Sequence, residues 1–162
     1  MHKGVWVILA AVLCAPAIGR AENCAWLNAA TAGGLLGGEA SMKVTTTSGF
    51  DTTCEFTLKG ESAVSKLTIA VHSMAVTREE FPALLAQCGS DGTAMRAVGN
   101  EAVECMRATG ANEVTEQVVS RVRDRAFTLT WVMPKPAEDA QKQAEIRDKF
   151  RNIAEQVAGS LF

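Results

Sequence analysis

Histidine is almost missing from this chain: 162 residues carry two, His2 and His72. His2 lies in an N-terminal stretch with a separate role, described below. The body of the chain is left with His72 alone, which excludes a histidine-rich metal centre and the usual Ser–His or Cys–His nucleophile pair. On its alternating segment His72 falls on the less apolar side with Thr68 and Ala70, and reads as a structural or solvent-facing residue. Other chemistry is missing as well. No serine stands in a G-x-S-x-G context, and Ser73 and Ser120 are ordinary strand positions. Gly33-Gly34 and Gly37-Gly38 lack both G-x-G-x-x-G order and a Gly-Lys-Ser/Thr ending, so they read as helix punctuation and no cofactor motif is left. No two cysteines have C-x-x-C spacing. Low-complexity runs are absent, and the one linker-like stretch, Pro134-Lys135-Pro136-Ala137, is too short to separate two domains.

Long apolar runs are also scarce, and the one that exists is at the start. After Lys3, Val5 to Leu13 carries no charge, and Pro16, Gly19 and Arg20 then end the run. A spanning helix needs roughly 20 apolar residues. Small residues at Gly19 and Ala21 fit the positions before a cut, so residues 1–21 read as a cleavable secretory signal and 22–162 as the mature chain. Cys14 follows Leu13 rather than a small residue, which argues against lipid attachment. The expected location is periplasmic or extracellular, with no transmembrane segment after cleavage.

Removing the leader changes two counts. Lys3 and Arg20 leave with it, so 14 basic residues face 18 acidic ones, a net charge of −4. Mild acidity with both signs interleaved makes no electrostatic case for nucleic acid or an anionic membrane. Five cysteines become four: Cys24, Cys54, Cys88 and Cys105. An even set in an oxidising compartment reads as two disulfides, with three connectivities that spacing leaves open. A metal or redox role finds no support in their spacing, and no metal is expected.

At 141 residues the mature chain is the size of one domain. Asn28 to Leu36 reads as a short helix, capped by Asn28 and stopped by Gly37-Gly38, weak because of Gly33 and Gly34 and therefore dependent on packing. Two alternating runs, Ala40 to Thr47 and Thr52 to Lys59, flank a hairpin turn at Ser48–Asp51. Lys66 to Val76 is a third strand with Leu67, Ile69 and Val71 on one face. Thr77 and Glu80 have capping-box spacing ahead of a helix marked by Phe81, Leu84, Leu85 and Cys88, which Gly89 ends; Pro82 is early enough to be tolerated. Beyond the Ser90-Asp91-Gly92 loop come Arg96 to Val98, the Gly99-Asn100 turn and a strand from Ala102 to Arg107. Glu116 to Arg123 and Ala126 to Met133 read as strands around an Asp124-Arg125 turn. The clearest helix runs from Glu138 to Ser160, with Ile146, Phe150, Ile153, Val157 and Leu161 in one stripe. Strands joined by hairpins with segregated helices predict an α+β fold: an antiparallel sheet of five to six strands, two or three helices on one face, and a long C-terminal helix.

Cys24 ahead of Leu27, the helix Asn28-Ala29-Ala30-Thr31-Ala32-Gly33-Gly34-Leu35-Leu36-Gly37, Cys54-Glu55-Phe56 in a hairpin and Val98-Gly99-Asn100-Glu101-Ala102 together resemble a loose group of small, uncharacterised exported bacterial proteins. Many of that group are lipoproteins, and their fold is thought to be of the PsbP-like α+β kind. The resemblance implies a disulfide between Cys24 and Cys54, which leaves Cys88 for Cys105, and a binding or accessory role outside the cytoplasm. It supplies no catalytic residues, and this chain departs from it in lacking a convincing lipid-attachment cysteine.

Three groups of side chains invite a functional reading. Arg121 and Arg123 on one strand, with Arg107 on a neighbour, are a candidate anion or carboxylate site, set against the alternative of a solvated face paired with Glu104, Glu113, Glu116 and Asp124. Glu101 and Glu104 near Arg107 are carboxylates that the fold must bring together if the chain is a hydrolase. Trp26 beside Cys24 is a plug over a disulfide or an anchor for a partner. With no nucleophile, base or metal set legible, the leading expectation is a non-catalytic exported domain for a small molecule, lipid or protein partner. Lipid carriage under the C-terminal helix requires a large cavity beneath Phe150, Ile153 and Val157.

Overall fold

Strand alternation, together with five antiparallel pairings of consecutive strands and one long crossover, builds a single antiparallel sheet in the computed structural model, which describes residues 23–48, 51–58, 65–73, 77–135 and 140–162, without the side chains of 47–48 and 77–80. The expected secretory signal, the expected end of the third strand at 74–76, the side chains of Thr77 and Glu80 expected to form a capping box, and residues 136–139 lie outside that description. The strands are β1 (Ala40–Ser48), β2 (Asp51–Leu58), β3 (Lys66–Ser73), β4 (Thr93–Ala94), β5 (Glu101–Ala108), β6 (Glu113–Val122) and β7 (Arg125–Pro134). The helices are α1 (Ala29–Leu36), α2 (Thr77–Leu85) and α3 (Ala140–Ser160), with a 3-10 segment at Ala86–Asp91.

The sheet order is β1-β2-β3-β7-β6-β5-β4. One meander runs from β1 to β3; the chain then crosses through α2 to the far edge and returns through β5 and β6, setting β7 against β3. The sheet has seven strands rather than five to six. The additional pairing is β4, a two-residue edge strand whose Thr93 and Ala94 lie opposite Glu104 and Val103. Backbone bonds to β5, not side-chain pattern, create so short an element.

Directly opposed residues share a face of the sheet. Val44, Cys54, Ile69, Leu129, Val118 and Glu104 form one such row, and Thr45, Thr53, Ala70, Thr128, Val119 and Val103 form the row on the reverse side. The first face carries the main core, where Phe56, Leu67, Leu129, Phe127 and Val118 meet α1 and the Phe150, Ile153 and Val157 stripe of α3. Trp131 stacks at a tilt on Phe150, centroids 5.9 Å apart, and its Nε1 donates to Ser65 Oγ.

Two helices, α1 and α3, share the first face, and the second face carries the remaining one. Phe81 of α2 and Cys88 of the 3-10 segment pack with Cys105, Val119 and Ala126 in a separate cluster. Val119 and Ala126 have the opposite parity to Val118 and Phe127, so α2 lies across the sheet from α1 and α3. An amphipathic helix carries no record of which side of a sheet it will cover.

Local chemistry explains the ends of α1. Asn28 Oδ1 accepts the Thr31 N–H at 2.8 Å, and Gly37 at φ 89° lets its N–H and that of Gly38 return to Gly33 O. A Cβ on Gly33 would meet Gly38 O at 2.4 Å, so the glycine that weakens the helix is the one its closing turn needs. Two disulfides tie the helical layers down: Cys24 to Cys54 beside α1, and Cys88 to Cys105 on the reverse face. Trp26, half-buried, packs against the main core.

Candidate functional site

Glu116 interrupts an apolar register. On β6 it alternates in phase with Val114, Val118 and Val122, the residues that face α3. On β5, Glu104 lies opposite Val118 while Glu116 lies opposite Met106, so the two carboxyls project diagonally toward the same helix. α3 answers with Arg147 and Arg151, one turn apart on its charged flank. The Arg151 guanidinium donates through Nε to both oxygens of Glu104, at 3.2 and 3.1 Å, and through Nη2 to Oε2. Arg147 stops short: its Nε is 3.8 Å from Glu116 Oε1.

The result is a buried acid that is incompletely met. Glu116 is 1% exposed, and among the described residues no donor bonds its Oε1. Burial pushes its pKa up from 4.5 to about 7, helped by the adjacent Glu104 charge and a hydrogen bond to Glu104, and opposed by Arg147 and Arg151. Near neutrality Glu116 therefore passes between its neutral and ionised forms beside Glu104, both oxygens of which Arg151 engages. These four side chains, with Asp91, Thr93, Cys105 and Met106, line a cleft of about 310 Å³ at the β4–β5 side of the sheet. Chemically the cleft offers a titratable carboxyl, a paired carboxylate and two guanidinia, each arginine still 41% exposed or more.

A second cleft, of about 430 Å³, lies between the end of α1, β7 and α3, with Leu35, Leu36, Trp131, Met133 and Ile146 below Lys135, Lys142 and Lys149. Its lining includes Leu58, Ser65 and Lys135, which adjoin residues outside the description.

The residues singled out from sequence are dispersed. Arg107 lies opposite Thr115 and Arg121 opposite Glu101, six positions apart along the β5–β6 ladder, or about 20 Å. Arg107 donates to Gln117 Oε1 at 2.9 Å, and Arg121 stands 3.9 Å from Glu101 and 5.9 Å from the Phe81 ring centre. Arg123 is not on the strand: β6 ends at Val122, and Arg123 enters the two-residue turn at φ 55°, over Phe162. The turn is thus Arg123-Asp124, one residue earlier than expected, because Val122 pairs with Arg125. Arg107, Arg121 and Arg123 accordingly do not form one anion site.

Glu101 and Glu104 are three apart, so strand alternation sends them to opposite faces. Glu104 meets Glu116 instead. The signal that points there is one of parity: a glutamate in the apolar register of β6, another at matching parity on β5, and an Arg-x-x-x-Arg pair beside the Phe150 stripe. His72 lies 3.7 Å from Asp51 at the surface. Phe150, Ile153 and Val157, all 5% exposed or less, belong to the main core cluster.

Among the described residues no group of three or more His, Cys, Asp or Glu side chains is arranged to hold a metal ion, and no helix is long and apolar enough to cross a membrane. No protein-family model, curated protein or solved structure matches the chain.

Proposed function

We propose that this chain is an exported, disulfide-stapled binding domain that takes a small charged ligand in the cleft between Glu104, Glu116, Arg147 and Arg151. The observation that carries the reading is Glu116: a carboxyl 1% exposed, with an oxygen that no described donor satisfies, lining a cleft beside two half-exposed guanidinia. Buried polar groups without partners cost about 1–3 kcal/mol each, so a ligand group that completes the set gains that energy on binding. Export is supported by the N-terminal signal pattern and by two disulfides, which persist in oxidising compartments. The mild net charge favours neither nucleic acid nor membrane as partner.

Protein purified from an oxidising compartment, screened by thermal shift against small anions, cations and zwitterions, is expected to be stabilised by a subset of them and to lose that response in Glu116→Gln. A ligand that stabilises the wild type and Glu116→Gln equally overturns the assignment of this cleft.

A hydrolase reading has one observation in its favour: Glu116 titrates at about 7, where a general acid works best. Against it, Arg151 engages both oxygens of Glu104 and removes it as a base or nucleophile. Turnover of a model ester, glycoside or peptide that disappears in Glu116→Gln is the result that favours it.

A further inference from the structure

We infer that the ligand of this cleft is a small zwitterion, an α-amino acid or a close analogue, with its ammonium group against the Glu104–Glu116 carboxyls and its carboxylate against the Arg147 and Arg151 guanidinia. The inference rests on the binding reading above and gives it a chemical class.

The charges around the cleft come from every element that borders it. Asp91 at the end of the 3-10 segment, Glu104 on β5 and Glu116 on β6 are acidic, and Thr93 on β4 adds a hydroxyl. Arg147 and Arg151 on α3 are basic, with Asp148 close enough to act on Arg151. The two cleft arginines face Asp91 and Glu104, and Glu116 adds a third acidic charge once it ionises. A simple anion entering this space gains the arginines but meets two carboxylates; a simple cation gains the carboxylates but meets two guanidinia. A ligand carrying both charges, a few ångströms apart, finds an opposite partner in each half.

The unmet capacity is also distributed in that way. Glu116 Oε1 is an acceptor with no described donor, suited to an ammonium N–H. Arg147 makes no hydrogen bond to Glu116 at 3.8 Å, and its side chain is 47% exposed, so its N–H groups are open to a carboxylate. A volume of about 310 Å³ suits a compact amino acid and is at the low end for small-molecule sites. Proton balance follows: an ammonium ligand needs Glu116 ionised, so below the transition one proton leaves Glu116 as the ligand binds, and affinity rises with pH until Glu116 is ionised throughout.

Calorimetric titration tests this with L-alanine at pH of about 6 and about 8, on either side of the Glu116 transition, and at pH of about 6 with L-alaninamide, which there keeps only the cation, and N-acetyl-L-alanine, which keeps only the anion. Alanine is expected to bind about tenfold or more tightly than either single-charge probe, the loss of one charge-assisted contact. It is also expected to bind more tightly at the higher pH, and to lose that pH dependence in Glu116→Gln. The amide is a neutral isostere of the protonated acid, so the variant retains the fold, checked by near-UV circular dichroism. Alaninamide or N-acetylalanine binding as tightly as alanine overturns the zwitterion while leaving a charged-ligand site in place. No binding of alanine, when the thermal-shift screen returns other ligands that depend on Glu116, also overturns it; an empty screen overturns the binding reading itself.

Discussion

Arg151 on α3 and Glu104 on β5, 47 residues apart in the chain, meet in a two-point ion pair that seats the C-terminal helix on one end of the sheet. Glu104 is 7% exposed, whereas the Arg151 side chain is 41% exposed, so the two ends of the pair differ in what their loss means. Arg151→Met leaves a buried carboxylate beside a second acid and is expected to lower unfolding stability by about 2 kcal/mol, below the full cost of breaking a wholly buried pair because solvent screens the arginine end. Adding Glu104→Gln to that variant should restore part of the loss. Urea unfolding of the four proteins in the cycle measures it, and a double variant no more stable than Arg151→Met contradicts the pairing.

The Glu116 proton links stability to pH. Its folded pKa, about 7, is raised above the ordinary 4.5, so the fold prefers the neutral acid. Its contribution is fully present below the unfolded pKa and is lost as pH rises through about 7, a change of at most about 3 kcal/mol for a shift of this size. Glu116→Gln removes this component, so the stability difference between variant and wild type should grow in the variant's favour from acid to mildly alkaline pH. Parallel pH profiles for the two proteins would contradict it.

The disulfides hold different layers. Cys24–Cys54 closes a sequence separation of 30 beside α1, and Cys88–Cys105 one of 17 under the α2 layer. In the chain-entropy model each contributes about 3 kcal/mol, so alanine replacement of either pair is expected to lower the urea midpoint substantially. Peptide mapping without reduction should recover these two crosslinks, and a Cys24–Cys88 peptide would overturn the pairing.

Gly99 sits at φ 71° in the approach to β5, and a Cβ there would meet Arg121 O at 2.6 Å and Ser120 Oγ at 2.7 Å. The adjoining Asn100 donates to the same Arg121 O and accepts the Arg123 N–H at 2.7 Å, so the loop is fastened on both sides. Gly99→Ala is expected to destabilise by about 2 kcal/mol or more, through backbone strain and displacement of β6. Thermal unfolding measures this; a variant as stable as the wild type would show that the loop relaxes freely.

Elements whose information is local were legible in advance. The Asn28 cap, the Gly37 stop, the Phe150–Val157 stripe and the alternation in β2, β3 and β7 all rest on periods of 2 or 3.6 residues and on the conformational habits of single residues. The candidate site was legible only as parts. Glu101 is nearer to Glu104 in sequence while Glu116 is nearer across the ladder, and the Arg147–Arg151 spacing marks a helix flank without naming the carboxyls it meets.

The sequence by itself determined the longer strands and helices and the apolar face of each, because those properties depend on neighbours a few positions away. Only the tertiary structure decided that β7 lies against β3, that α2 covers the opposite face from α1 and α3, and that Arg151 reaches Glu104 while Arg147 stops short of Glu116. Those outcomes depend on how layers share one sheet and on the burial that follows. Burial in that arrangement turns Glu116 from an ordinary glutamate of an alternating strand into an acid that titrates near neutrality.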